Sequence, residues 1–237
     1  MALTPQNEET FFREVDDELR RDQLNSFWRR YGRLVAIGVA AALLALAGYL
    51  WWQHDREKRA GVDGEVLSGA LRDVAENRPD AAKPALAKLA DSDFAGYRAT
   101  ARLTSAALAL DEGDEKAAVT QYGAIAADAS LPEPFRNLAL IRQTATDFDT
   151  LPPQTVVDRL KPLAVAGNPW FGSAGELVAL AYQKMGKADL AGPLFVAMAK
   201  DKTVPETIRA RAVRLAGALG QDTTALTAGP TAAGGGE

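Results

Sequence analysis

The 237-residue chain contains no cysteine and a single histidine, His54. Without a thiol it has no disulfide framework, no thiolate nucleophile, no cysteine-based metal site and no acceptor for a lipoprotein lipid. One imidazole without cysteines does not make a zinc site of the usual kind. The serines have no nearby histidine to act as a base, and G-x-S-x-G, P-loop and G-x-G-x-x-G motifs are absent as well. We therefore expect no cofactor, no metal and no enzymatic activity.

The chain also has no excess of basic residues and no pattern typical of β-strands. The chain has 27 Lys and Arg against 31 Asp and Glu, a formal net charge of −4, so nothing in its composition favours nucleic-acid binding. No alternating run of Val, Ile and Thr is bounded by Asn-Gly or Asp-Gly, whereas apolar residues recur at helical spacing along the whole chain. The sequence predicts an all-α protein.

What is present is one long apolar run, LVAIGVAAALLALAGYLWW, over residues 34–52. As a helix it would span roughly 28 Å, at about 1.5 Å per residue, which is close to the hydrocarbon thickness of a bilayer, about 30 Å. Aromatic residues bracket it where headgroups would lie, and these predicted membrane-interface residues are Trp28, Tyr31, Trp51 and Trp52. The run predicts a single transmembrane helix.

Basic residues set the expected orientation of this helix, because Lys and Arg resist translocation. Six arginines precede the run, and Arg29, Arg30 and Arg33 stand directly before it, whereas only three basic residues follow it closely, at positions 56, 58 and 59. We predict that the N-terminus lies inside and the large C-terminal part outside. The alternative is a signal peptide cleaved after Ala47, since Ala45-Leu46-Ala47 resembles a cleavage site. An uncleaved anchor fits better, because the apolar run continues past this site.

After the anchor, short amphipathic segments alternate with turns, as in an α-solenoid of antiparallel helix pairs. Two pairs, 73 residues apart, follow the tetratricopeptide pattern, in which small residues allow close helix packing, glycine permits the tight turn and aromatics fill the space between pairs. The positions concerned are Ala106, Gly113, Ala118 and Tyr122 in the first pair, and Ala179, Tyr182, Gly186, Ala191 and Phe195 in the second. The pair between them, residues 133–166, lacks the turn glycine. The sequence predicts a degenerate array of about four pairs and a capping helix.

Trp170 and Phe171 form one aromatic cluster in the polar part of the chain, within Asn168-Pro169-Trp170-Phe171. Such a cluster at a repeat junction is a candidate patch for a protein partner. Aromatics that begin a helix in a solenoid also commonly pack on the preceding pair, and both readings stand at the level of sequence.

These features together carry a family resemblance. The stretch EVDDELRRDQLNSFWRRYGRL, a single span and a degenerate repeat array resemble the bacterial membrane-anchored, tetratricopeptide-like family of ancillary Sec-translocon subunits. The most specific part is FWRRYG, residues 27–32. The resemblance implies an adaptor or chaperone-like protein of the inner membrane whose periplasmic domain contacts the Sec translocon, periplasmic chaperones and emerging polypeptides. The alternative is a scaffold for another envelope process, such as division or outer-membrane assembly.

The expected domain organisation has five parts. They are a cytoplasmic amphipathic segment at 1–33, a transmembrane helix at 34–52, a juxtamembrane linker at 53–61, a periplasmic tetratricopeptide-like domain at 62–219 and a disordered tail at 220–237.

Overall fold

A computed structural model describes the backbone of residues 6–224 and the side chains of residues 28–224. Over residues 6–224 the chain forms nine α-helices and no strand, which confirms the predicted all-α class. The helices are α1 (Gln6–Ala75), α2 (Pro79–Leu89), α3 (Ala95–Asp111), α4 (Glu115–Ala127), α5 (Glu133–Thr146), α6 (Pro153–Leu160), α7 (Phe171–Lys184), α8 (Ala188–Lys200) and α9 (Glu206–Ala218). The chain divides into two compact units, Met1–Gly61 and Val62–Glu237.

The first unit consists, over its described residues, of helix α1 up to Gly61. Its most apolar window of 18 residues has a mean hydropathy of 2.2 with no more than two charged residues. The apolar side chains point away from any protein core, as Leu44 and Trp51 show with 75% and 72% of their surface exposed. Exposed apolar surface of this extent is stable against lipid rather than water. This helix is one that can cross a membrane.

No break separates the apolar run from the helical residues on either side. Residues 53–61, where the sequence predicts a linker, continue α1 and carry helix-spaced interactions, including an ion pair between Asp55 and Arg59 at 3.0 Å. The segment is polar but contains no proline, so nothing in it interrupts the hydrogen-bond ladder. Residues 1–5 and 225–237, which belong to the predicted N-terminal segment and tail, lie outside the described residues.

The second unit contains four helix pairs and a final helix, as the sequence predicts. Residues 62–75 of α1 share an apolar core with α2, while α3 packs with α4, α5 with α6 and α7 with α8, and α9 closes the array. Each pair contributes to a local core, so the unit has four apolar clusters along its length rather than one centre. This is the packing expected of a solenoid, in which each repeat mainly contacts its neighbours.

The third pair is the most irregular. Helix α6 has only eight residues, and the connection into it is a turn in which the backbone N–H groups of Thr150 and Leu151 donate to the Asp147 carbonyl. Pro152 occupies the N-cap and Pro153 the first helical position, where its missing N–H costs nothing. The absence of a turn glycine, seen in the sequence, therefore corresponds to a longer connection built from Asp, Thr and Pro.

Candidate protein-interaction site

The two tetratricopeptide-like pairs, α3–α4 and α7–α8, share one internal frame. Close contact between the two helices of each pair requires small residues, and the four alanines at these positions have no exposed surface: Ala106, Ala118, Ala179 and Ala191. The aromatic position of the second helix is filled by Tyr122 in one pair and Phe195 in the other, 3% and 0% exposed. Tyr182 is partly buried and packs against the cores on both sides of α7.

The turns within these pairs depend on glycine in a backbone conformation that other residues rarely adopt. Gly113 has a φ of +84° and Gly186 a φ of +72°, both in the left-handed region. In each case the next residue but one begins the second helix of the pair. The side chain of Asp114 caps that helix in the first pair by accepting from the backbone N–H of Ala117 at 2.9 Å.

The connectors that follow the two pairs share a second motif, which was not predicted from the sequence. Residues 128–133 read DASLPE and residues 201–206 read DKTVPE, again 73 residues apart. In each, the aspartate Oδ1 accepts from the backbone N–H and the hydroxyl two residues later, from Ser130 at 2.9 and 2.6 Å and from Thr203 at 2.8 and 2.7 Å. The following apolar residue is buried and a proline opens the next helix. Comparing the chain with itself at the 73-residue offset would have found this motif.

Hydrogen bonding stabilises the charged form of both connector aspartates. The Ser130 hydroxyl, then its backbone N–H, lowers the pKa of Asp128, and the guanidinium of Arg102 adds to the effect. The Thr203 hydroxyl and backbone N–H lower the pKa of Asp201 in the same way. Both carboxylates are therefore ionised at neutral pH and fix the chain direction between successive pairs.

The aromatic cluster at 170–171 lies mostly in the interior. Phe171 is 2% exposed and belongs to the core of α7–α9, and Trp170 is partly buried against the core of α5–α7. Phe171 packs with residues of α8 and α9, whereas Trp170 packs against the preceding pair. The rings therefore act in packing between pairs, and Phe171 offers no surface to a partner.

The predicted topology and interface residues of α1 are all accessible. Arg29, Arg30 and Arg33 are exposed, as are the four aromatics Trp28, Tyr31, Trp51 and Trp52. Two cationic side chains lie over aromatic rings, Arg30 over Tyr31 at 5.9 Å and Arg56 over Trp52 at 5.4 Å. Such cation–π contacts contribute about 0.5–1 kcal/mol at exposed sites.

A concave surface lies across α2, α3 and α4. A cavity of about 280 Å³ is lined mainly by apolar atoms of Ala90, Ala124 and Ile125. A second cavity of about 230 Å³ adjoins it and is lined in part by Leu108 and Glu112. Ser105 and Gln121 line both cavities, so the two meet there. We refer to the pair as the α2–α4 groove.

Ion pairs stand at both ends of this groove. At one end Arg102 donates to the Ala90 carbonyl and to Asp128, each at 2.9 Å. At the other, Lys83 pairs with Glu112 at 2.7 Å and with Asp80 at 2.9 Å. The bond with Glu112, followed by that with Asp80, raises the pKa of Lys83, so its ammonium stays charged at neutral pH. Both cations that line the groove thus have anionic partners.

Among the described residues no group of His, Cys, Asp and Glu side chains is arranged to hold a metal ion.

The family profile of the tetratricopeptide repeat-like domain matches residues 25–150, more than half of the chain. The chain belongs to this family. Tetratricopeptide repeat-like domains are generally non-catalytic modules that bind other proteins, so this one is a protein–protein interaction module. No curated protein and no solved structure matches the chain. The second pair with the full repeat spacing, α7–α8, lies beyond the matched residues.

Proposed function

We propose that the chain is a membrane-anchored, non-enzymatic subunit that binds other proteins at the periplasmic face of the bacterial inner membrane. One observation carries this proposal. Helix α1 contains both the apolar residues 34–52 and the side chains of Val66 and Ala70, which belong to the core of the first pair. An interaction module joined to a membrane anchor meets its partners at a high effective concentration, which supports weak but useful binding.

The partners that we propose are the Sec translocon, periplasmic chaperones and polypeptides emerging from the channel. The resemblance of residues 14–34, and of FWRRYG at 27–32 in particular, to ancillary translocon subunits supports this choice. The repeat-like domain supplies a surface for protein binding, and the anchor would keep that surface beside the channel.

The proposal is tested by crosslinking in intact cells, followed by purification of the full chain in mild detergent and mass spectrometry of what remains attached. We expect translocon subunits to be enriched over a control purification of an unrelated single-span membrane protein. Recovery of division or outer-membrane assembly proteins instead would support the scaffold alternative. Repeated recovery of no translocon subunit would reject the translocon role.

Orientation is tested separately with single introduced cysteines, which report without background because the chain has none of its own. Lys200→Cys, at the exposed end of α8, should react with a membrane-impermeant maleimide added from the periplasm, while Ser26→Cys should be protected. Replacing Arg29, Arg30 and Arg33 by Gln should invert part of the population, because these charges hold the N-terminus inside. Protection of the cysteine at position 200 would contradict the orientation, and loss of residues 1–47 from the mature chain would contradict the anchor.

A further inference from the structure

The α2–α4 groove has the size of a side-chain site rather than a cofactor site. Its larger cavity, about 280 Å³, is below the roughly 300–1,000 Å³ typical of small-molecule pockets. The walls formed by Ala90, Ala124 and Ile125 are short or apolar, which leaves room for one large apolar side chain. Filling it would remove that side chain from water, the main source of affinity in protein recognition.

Polar groups are placed where the backbone of such a partner would run. Ser105 and Gln121 both line the junction of the two cavities and are partly buried there. The Ser105 hydroxyl donates to the Ala101 carbonyl at 3.0 Å, which leaves its oxygen lone pairs to accept a further bond. The Gln121 amide offers both a donor and an acceptor, which matches the alternating groups of a peptide backbone.

Charge distinguishes the far end of the groove. The smaller cavity is lined by Lys83 and Glu112, which pair with each other, and Glu112 belongs to the acidic turn Asp111-Glu112-Gly113-Asp114-Glu115, which adds three more carboxylates. Residues 79–128 carry eight acidic against five basic side chains. The corresponding turn of α7–α8 has Lys184 and Lys187 around its glycine. An occupant that extends from the apolar cavity past the Lys83–Glu112 pair to the acidic turn therefore meets net negative charge, which favours Lys or Arg in the partner.

From this combination we infer that the α2–α4 groove binds a polypeptide segment with one large apolar side chain followed by basic residues. The inference rests on the proposed protein-binding function and adds to it a site and a partner chemistry. The apolar side chain occupies the cavity beside Ile125, the partner backbone crosses Ser105 and Gln121, and the basic residues lie along the turn at Glu112.

The test is fluorescence anisotropy with the full chain in phosphatidylcholine nanodiscs, with empty nanodiscs subtracted. Three labelled peptides share a central Leu-Phe and differ only in their flanks, which are Lys, Ser or Glu. We expect the Lys-flanked peptide to bind tightest and to weaken as salt is added, because exposed charges are screened. Equal binding of the three peptides, or preference for the Glu-flanked one, would overturn the inference.

Two alanines make a matched pair of variants. Ala124 and Ala197 occupy the same offset in α4 and α8 and both are exposed, but only Ala124 lines the groove. Ala124→Phe should weaken the Lys-flanked peptide about tenfold by filling the cavity, a loss typical of a blocked anchor position. Ala197→Phe should leave affinity within about twofold of the native chain. Equal affinity of the two variants would place the binding site elsewhere.

A second pair of variants tests charge without filling the cavity. Glu112→Gln should weaken the Lys-flanked peptide about threefold and leave the Ser-flanked peptide unchanged, whereas Asp189→Asn on α8 should change neither. Because Glu112 is exposed, its loss should not unfold the repeat, and far-ultraviolet circular dichroism checks this. An equal loss for both peptides in Glu112→Gln would show a structural rather than an electrostatic role and would count against the inference.

Two other occupants are separated by further measurements. If sedimentation velocity showed a dimer of the native chain that Ala124→Phe disrupts, the groove would hold a second copy and the peptide assignment would fall. Crosslinking from membranes is repeated with Ala124→Phe to distinguish the two proposals. Translocon subunits recovered with a native chain that binds no peptide would leave the proposed function standing and reject the groove. Peptide binding by a native chain that recovers no translocon subunits would support the groove and reject the translocon role.

Discussion

The pairs α3–α4 and α7–α8 follow the same frame but present different surfaces. Each has two fully buried alanines, a glycine with positive φ at its turn and a buried aromatic on its second helix. Around this frame the charges diverge, because residues 62–149 contain fifteen acidic and nine basic side chains and residues 150–219 contain five and nine. Positions that hold two helices together are thus kept, while those that meet solvent are free to acquire separate roles.

The largest loss of stability is expected when the buried aromatic side chain of either pair is removed. Phe195→Ala removes a fully buried ring and should lower the free energy of unfolding by about 3–5 kcal/mol. Tyr122→Ala should cost a similar amount, whereas Tyr122→Phe keeps the ring and should cost about 1 kcal/mol or less. Urea unfolding of the full chain in detergent, followed by circular dichroism, measures these values.

Val165→Ala serves as the control for those truncations, because Val165 is 49% exposed and its loss should change stability by no more than about 0.5 kcal/mol. A loss below about 1 kcal/mol for Phe195→Ala would show that the aromatic position does not hold the second pair together.

Replacement of the turn glycine by alanine should lower stability by the same amount in both pairs. No atom lies within 4 Å of a Cβ added to Gly113 or Gly186, so alanine there costs only the strain of the left-handed backbone, about 1–2 kcal/mol. Gly69→Ala inside α1 is the control, since it meets no atom either but lies in a regular helix, where alanine should stabilise by about 0.5–1 kcal/mol. Thermal unfolding measures all three, and a cost confined to one pair would break the equivalence of the turns.

Substitution of the N-cap residue of the second helix should destabilise α3–α4 and stabilise α7–α8. Asp114→Ala removes the bond to the Ala117 N–H and should cost about 1 kcal/mol. Lys187, at the same position before α8, makes no side-chain cap, so Lys187→Asp should stabilise that pair by up to about 1 kcal/mol. The same unfolding measurement applies, with Lys202→Asp as a control for charge alone. Destabilisation by Lys187→Asp would show that the two turns differ in geometry as well as in charge.

The smallest effect on stability that the two pairs share is expected at acidic pH, where the connector aspartates become protonated. Hydrogen bonds from Ser130 and Thr203 hold the pKa of Asp128 and Asp201 below the ordinary 3.8. Because each pKa is lower in the folded state, this stabilisation is fully present above about pH 4 and is lost as the pH falls through the lowered pKa. Asp128→Asn and Asp201→Asn should each lose less thermal stability than the native chain between about pH 5 and pH 3. An unchanged slope in both would exclude the connectors as acid-sensitive points.

Much of the fold follows from local sequence pattern. Apolar spacing within ten to fifteen residues and glycine or proline at the turns were enough to predict four pairs and a closing helix. The continuity of α1 through residues 53–61 was harder to foresee, because a polar helix without apolar periodicity resembles a linker. The burial of Phe171 does not follow from local pattern, because the residues that cover it come from α8 and α9.

The groove was beyond sequence reasoning because its walls come from three helices. Ala90, Ser105 and Gln121 are separated by fifteen or more residues, and each alone resembles any small or polar helix residue. Only their packing brings them to one surface. The connector motif was within reach, by contrast, since six residues recur at the same offset as the repeats.

The placement of the first core residues within α1 also affects the order in which the chain matures. Val66 and Ala70 are synthesised before the α2 and α3 residues that cover them, such as Leu86 and Ala101. Each later core likewise joins helices that are close in sequence, so long loops need not close before packing begins. Assembly can therefore follow synthesis from α1 onward, each finished pair serving as the template for the next.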